Sequence, residues 1–112
     1  MGTSSQWRLQ FNREIENAQN ARYSGNEGKA RVCARRAAGI VAGEYLLRLH
    51  KPVASSSAFQ RLKVLQAVAD MPLRLIEILE HMTMQVDPDH KLPVKADLIA
   101  EAEELRKVLL EN

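Results

Sequence analysis

Apolar residues repeat at helical spacing along most of this chain, and runs that alternate apolar and polar residues are absent. In the first helix that this pattern predicts, over about residues 5–24, four apolar residues follow one another at intervals of four, four and three: Trp7, Phe11, Ile15 and Ala18. Ser4 and Ser5 are suited to cap its start, and Gly25 to supply the left-handed residue that ends it. The pattern therefore predicts an amphipathic first helix.

A second helix is predicted over residues 26–49, with Asn26 as its N-cap. Small residues line it at intervals of four: Ala30, Ala34, Ala38 and Ala42. Gly39 and Gly43 add a GxxxG pair, which in water indicates close contact with another helix. Lys51 and Pro52 stop the helix. We therefore expect this helix to be the central packing element of a helical bundle.

The third predicted helix covers residues 58–69, and the serines at 55–57 offer N-caps. Its inward residues are predicted to be Phe59, Leu62, Leu65, Val68 and Ala69. Pro72 kinks or splits the helix, and Asp70 is suited to cap the part that follows, over residues 71–85. The apolar residues of that part cover most of its circumference, so we expect it to be deeply buried: Leu73, Leu75, Ile76, Ile78, Leu79 and Met82.

Prolines and aspartates make residues 86–93 a predicted loop, which is followed by a last helix over residues 94–110. One face of this helix carries Leu98, Ala102, Leu105 and Leu109. Its acidic residues come early and its basic residues late, as the helix dipole favours. Residues 1–112 thus predict one all-α domain, an up-and-down four-helix bundle whose third helix is kinked or split near Pro72.

Charge is divided unevenly between the halves of the chain. Residues 1–51 hold nine Lys and Arg against four Asp and Glu, whereas residues 52–112 hold seven against ten. We favour acidic helices packed beside basic ones, within the fold or across a dimer. A basic face for nucleic acid is the alternative, which typically comes with a pI above 8.9 or with more aromatic residues near the basic patch.

Cys33 is the single cysteine, which excludes an internal disulfide and fits a reducing, cytoplasmic compartment. Its alanine neighbours favour a buried, inert thiol over a nucleophile. The longest apolar stretch, residues 37–43, is too short to span a bilayer. Residues 1–10 lack the apolar core of a signal peptide. We expect a cytoplasmic protein without membrane association.

The sharpest candidate for chemistry is the pair Arg74 and His81, which lie two turns apart on one helix face. A histidine and an arginine that face one phosphate can cleave RNA without a metal, because the imidazole moves protons and the guanidinium stabilises the transition state. Glu77 lies three residues after Arg74 and four before His81. An intrahelical stripe of ion pairs is therefore the favoured interpretation.

A second candidate is the basic start of the second helix, with Lys29, Arg31, Arg35 and Arg36. These side chains could contact phosphate groups. Their charges wrap around two faces of the helix, however, which favours a solvated surface that pairs with the acidic last helix.

Metal and cofactor sites are not predicted. Asp87, Asp89 and His90 are too few to hold a metal, and their spacing matches no calcium loop. The chain has no Glu-x-x-His pair of a di-iron bundle, no glycine-rich phosphate loop and no serine nucleophile elbow.

The stretch GNEGKARVCARRAAGIVAGEYL, residues 25–46, resembles the second helix of HEPN domains. In those domains a small turn precedes an alanine-rich helix of the type A-x₃-A-R-x-A-A-E-x-A-x-K-A-x-L. The matching positions are Ala30, Ala34, Arg35, Ala37, Ala38, Ala42, Tyr45 and Leu46. The later order is also similar, with a polar hinge, a leucine-rich third helix, a loop, and the last helix ADLIAEAEELRKVLLE.

The resemblance implies an up-and-down four-helix bundle that forms homodimers. Some HEPN domains are ribonucleases with an Arg-x₄₋₆-His motif, and two copies of the motif meet at the dimer interface; Arg74 and His81 satisfy this spacing. Others act as partners of nucleotidyltransferases or as binding modules. Leu75 follows Arg74 where active members have a polar residue, and the intervening LIEILE is typical of a core helix.

We therefore expect a HEPN-like homodimer that is not an enzyme and that binds a nucleotide or a partner protein. The alternative is a metal-independent, toxin-like endoribonuclease that uses Arg74 and His81. A third class is a small regulatory, antitoxin-like protein whose fold is completed by a different chain. That class would leave an apolar patch exposed on the isolated domain.

Overall fold

A computed structural model describes residues 6–84 and 94–111 of the chain. These residues form five helices and no strand: α1 (Gln6–Tyr23), α2 (Glu27–Arg48), α3 (Ala58–Gln66), α4 (Leu73–Thr83) and α5 (Leu98–Leu110). The all-α class predicted from the sequence is confirmed. The predicted caps Ser4 and Ser5 and the loop with Asp87, Asp89 and His90 lie outside the described residues.

Helices α1 and α2 form a tight hairpin, and its local signals are the ones predicted. The apolar stripe of α1 is buried throughout: Trp7, Phe11, Ile15 and Ala18. Gly25 has φ +87°, and the N–H groups of Gly25 and Asn26 donate to the carbonyls of Arg22 and Ala21, which is a Schellman motif. The side chain of Asn26 then accepts from the Lys29 N–H at 3.0 Å and caps α2.

Helix α2 is the central element of the fold and packs against α1, α3 and α5. The alanines that repeat every four residues are all fully buried: Ala30, Ala34, Ala38 and Ala42. The first turn of α3 touches α2 at Gly39, where an added Cβ would lie 2.5 Å from the Cβ of Ala58. The close helix contact predicted from the small residues of α2 is therefore present, and α3 is the helix that makes it.

Helix α3 is shorter than predicted and buries fewer residues. It ends at Gln66, and Leu62 and Leu65 are its buried residues. Phe59 and Ala69 were expected to face inward, but Phe59 is half exposed and Ala69 is exposed beyond the end of the helix. Since α3 packs on α2 and α4 through one narrow face, its other sides remain in solvent.

The predictions for α4 were wrong in two respects. Pro72 takes the N-cap position and Asp70 does not; Asp70 has φ +63° in the turn before the helix. Helix α4 also buries one face only, which consists of Leu75, Ile78, Leu79 and Met82. Leu73 is 84% exposed and Ile76 is 36% exposed, because α4 packs between α3 and α5 and leaves its outer face uncovered.

Helix α5 begins at Leu98, four residues later than predicted, because Asp97 caps it by accepting from the Ala100 N–H at 3.2 Å. Leu98, Ala102 and Leu105 are buried as expected, and Leu109 is partly buried. Within the described residues, no helix combines the length and the apolar character that crossing a membrane requires.

Candidate functional site

Arg74 projects from the first turn of α4 towards carboxylates of its own helix and of α5. Its Nε and Nη2 donate to the two oxygens of Glu104, each at 3.1 Å, and its Nη1 donates to Glu77 at 2.5 Å. Glu101 lies 3.5 Å from Nη2. The hydrogen bonds that Arg74 donates to Glu104 and then to Glu77 raise the pKa of Arg74 further above its ordinary value. Its guanidinium is therefore already occupied by anions of the protein itself.

His81 lies two turns further along α4 and meets Glu101, whose side chain is only 7% exposed. The Nδ1 atom of His81 is 2.9 Å from each carboxylate oxygen of Glu101. An ionised carboxylate can only accept a hydrogen bond, so Nδ1 is the donor nitrogen. The other ring nitrogen, Nε2, takes no part in this hydrogen bond. The arrangement orients the imidazole and gives a buried carboxylate its partner.

The structure thus brings Arg74 and His81 to one carboxylate, and we call Arg74, His81 and Glu101 the α4–α5 cluster. The predicted ion pair with Glu77 is present for Arg74, whereas the partner of His81 is Glu101 of another helix. Sequence reasoning noted Glu101 only as an early acidic residue of the last helix. Glu101 lies three residues after Leu98 and four before Leu105, on the apolar face of the helix, and this spacing could have marked it.

The basic residues at the start of α2 lie in different surroundings. Arg35 is half-buried, and its Nε donates to the carbonyl of Met82 at 2.9 Å, near the end of α4. Burial lowers the pKa of Arg35, and the charge of Arg31 adds to this effect. Arg36 lies towards α1 and α3, and Lys29 lies beside the α1–α2 turn. Arg35 therefore satisfies a helix-end carbonyl, and Lys29 and Arg36 lie at different helix junctions.

Acidic residues of α5 and its two ends pair with basic residues of α1 and α4. Arg8 of α1 is 2.9 Å from Glu111, which also meets Arg106 of α5 itself. Asp97, the cap of α5, is 3.0 Å from Arg22 of α1. The prediction that the acidic last helix packs beside basic residues within the fold is therefore correct in kind, with other partners than expected.

A groove of about 630 Å³ lies where α1, α2 and the start of α3 meet. We call it the three-helix groove. Its polar wall consists of Gln10, Glu14, Arg36, Ser56, Ser57 and Arg61. Among these residues, the sequence pointed only to Arg36 as a candidate for binding. The others lie on α1, in the segment before α3 and on α3, and only the packing of the helices places them together.

In the part of the chain that the structure describes, no three His, Cys, Asp or Glu residues are grouped so that they could hold a metal ion. Cys33 is buried and 2% exposed, as expected for an inert thiol. Neither a protein-family model, nor a curated protein, nor a solved structure matches this chain.

Proposed function

We propose that this chain is a HEPN-like helical interaction module and not an enzyme. In this proposal α3 and α4 together occupy the place of one helix of an up-and-down four-helix bundle. Two copies form a homodimer in the cytoplasm, and the dimer binds a nucleotide or a partner protein. The resemblance of residues 25–46 to a HEPN helix supports the family.

The observation that carries the non-enzymatic role is the engagement of Arg74 by carboxylates of the chain. Two glutamates hydrogen-bond its guanidinium, and a third lies 3.5 Å away. A phosphate would have to compete with these anions for the same donors, at the cost of exposing charge that is now compensated. Arg74 and His81 therefore serve best as a polar connection between α4 and α5.

The homodimer is supported by apolar side chains that α4 leaves in solvent. Leu73 is 84% exposed, and Ile76, one turn later on the same side of the helix, is 36% exposed. A second copy that packs along this side would remove both residues from water, which is favourable. A different protein chain that covers them is the corresponding heteromeric outcome.

Endoribonuclease activity is the second candidate, because one observation favours it. Glu101 contacts both Arg74 and His81, and it fixes the imidazole with Nδ1–H towards the carboxylate. This is the orientation that a general base needs, because Nε2 then faces away from the carboxylate and can take a proton. In this candidate a dimer would place two such pairs on one RNA strand.

Light scattering coupled to size-exclusion chromatography, together with RNA cleavage in EDTA, separates the candidates. The wild type is compared with His81→Ala and with His50→Asn, which removes an exposed histidine outside the α4–α5 cluster. A dimer that leaves RNA intact agrees with the interaction module. Cleavage that disappears in His81→Ala and persists in His50→Asn would establish the ribonuclease. A monomer at all concentrations would refute the homodimer.

A further inference from the structure

The two arginines of the three-helix groove, Arg36 and Arg61, differ from several other arginines of the described chain in their lack of an ion pair. Ion pairs with carboxylates are formed by Arg8, Arg22, Arg48, Arg74 and Arg106. Within the described residues, Arg36 and Arg61 have no carboxylate at ion-pair distance. Both therefore bring a guanidinium without an ion-pair partner to one groove.

Arg61 is held in place without using its terminal nitrogens. Its Nε donates to the carbonyl of Ser55 at 3.1 Å. Its guanidinium packs over Gly43 of α2, where an added Cβ would lie 2.9 Å from Nη1. Among the described residues, the terminal nitrogens of Arg61 have no hydrogen-bond acceptor. A positioned guanidinium with free donors is suited to bind the oxygens of a phosphate.

Glu14 supplies the opposite polarity in the same groove. Its Oε1 is shielded from solvent and has no hydrogen-bond donor among the described residues. A buried polar atom without a partner costs free energy, and a bound molecule that donates to it would remove this cost. The groove thus presents an acceptor beside two cationic donors, and hydroxyl groups of Ser56 and Ser57 complete the wall.

This combination restricts the chemistry of the occupant. A simple anion would be attracted by Arg36 and Arg61 but repelled by Glu14, and a simple cation would meet the reverse. A molecule with a phosphate at one end and hydroxyl donors at the other satisfies both. The volume of about 630 Å³ also suits an organic molecule, since small-molecule sites hold roughly 300–1,000 Å³.

We propose that the three-helix groove binds a ribose 5-phosphate group, either free or as part of a nucleoside monophosphate. Arg36 and Arg61 bind the phosphate oxygens, and Glu14 accepts from the ribose hydroxyls. The site lies apart from the α4–α5 cluster and uses none of its residues. This inference rests on the proposal that the chain is a binding module, and it names the class of ligand.

Isothermal titration with four probes tests the ligand: AMP, ribose 5-phosphate, adenosine and inorganic phosphate. We expect AMP and ribose 5-phosphate to bind at least about tenfold more tightly than adenosine or inorganic phosphate, because only they engage both ends of the groove. Binding of AMP alone would show that the base is required and the ligand is a nucleotide. Equal affinity for inorganic phosphate, or no binding of any probe, would overturn the proposal.

Three variants test the residues. Arg61→Gln and Arg36→Gln are expected to weaken AMP binding at least about tenfold, whereas Arg13→Gln, which removes the same charge from an exposed position of α1, leaves it unchanged. Glu14→Gln should weaken AMP binding and strengthen binding of inorganic phosphate. Equal weakening by Arg13→Gln would indicate unspecific attraction and refute the site.

Circular dichroism confirms that each variant is folded, and Arg36→Gln decides the outcome if Arg61→Gln unfolds, because Arg36 is exposed. Light scattering and RNA cleavage are measured on the same samples. An intact, inactive dimer without AMP binding would refute the ligand alone, whereas a monomer that binds AMP would refute the homodimer and leave the groove.

Discussion

Glu101 of α5 and His81 of α4 share a hydrogen bond in which Nδ1 of the imidazole is 2.9 Å from both carboxylate oxygens. Both side chains are largely withdrawn from solvent, at 7% and 13% exposure. Because Glu101 is the buried charged residue among the core positions of the described chain, His81 is needed as its nearest donor. The pair therefore joins two consecutive helices of the described chain.

Removing His81 is expected to destabilise the fold through Glu101. His81→Ala should lower the free energy of unfolding by about 2 kcal/mol, because a hydrogen bond to a charged, buried group is lost. Urea unfolding of His81→Ala, Glu101→Ala and the double variant measures the coupling, which we expect at about 1–2 kcal/mol. Arg13→Gln, at an exposed position of α1, serves as control. Effects of the two single changes that simply add would show that the hydrogen bond contributes nothing.

We expect substitution by alanine to have opposite effects on stability at two glycines of α2, Gly39 and Gly28. Gly39→Ala should destabilise the protein by about 1–3 kcal/mol, because the new Cβ would lie 2.5 Å from the Cβ of Ala58 and 2.7 Å from its Cα. Gly28→Ala should stabilise it by about 0.5 kcal/mol, since its Cβ would meet nothing closer than 3.8 Å. Thermal unfolding of both variants tests this contrast, and a tolerated Gly39→Ala would contradict the close contact of α2 with α3.

Two helices end in the same motif with different residues. After α2, the N–H groups of His50 and Lys51 donate to the carbonyls of Leu47 and Leu46, and His50 has φ +60°. Gly25 has the equivalent place after α1. His50→Gly should raise the free energy of unfolding by about 1 kcal/mol, and Gly25→Ala should lower it by a similar amount.

Chemical unfolding compares both variants with the wild type. A His50→Gly variant that is less stable would indicate that the histidine side chain contributes more than its backbone conformation costs.

The ion pairs of Arg22 predict how stability depends on pH. The hydrogen bond from Arg22 lowers the pKa of Glu27 from its ordinary 4.5. Burial would raise the pKa of Asp97, but the hydrogen bonds from the Ala100 N–H and from Arg22 hold it below its ordinary 3.8. Both carboxyls therefore bind protons less readily in the folded state. Their contribution to the free energy of unfolding is complete above about pH 4.5. It is lost as the pH falls through the pKa values that the two carboxyls have in the folded state.

Arg22→Gln should consequently cost about 1 kcal/mol at pH 7, a small value because these side chains are partly exposed. The difference from the wild type should shrink as the pH falls below 4. Urea unfolding at pH 7, 5, 4 and 3 measures it, with Arg13→Gln as the matched loss of charge. A difference that stays constant over this range would contradict the role of the two carboxylates.

The elements that the sequence predicted well depend on local signals. The apolar stripe of α1, the caps Gly25 and Asn26, and the small-residue face of α2 are all present as expected. Errors arose where a neighbouring element decided the outcome. The outer face of α4 is as apolar in sequence as a buried one, yet Leu73 is exposed because no other helix of the described chain covers it.

By itself, the sequence determined the helical class, the hairpin of α1 and α2, and the shared face of Arg74 and His81, because helical periodicity and capping act over a few residues. Tertiary structure alone decided that Glu101 is the partner of His81 and that Glu14, Arg36 and Arg61 line one groove. These residues come from different helices. Their proximity depends on how closely the helices pack, which is set at Gly39 and Gly43 by the absence of a side chain.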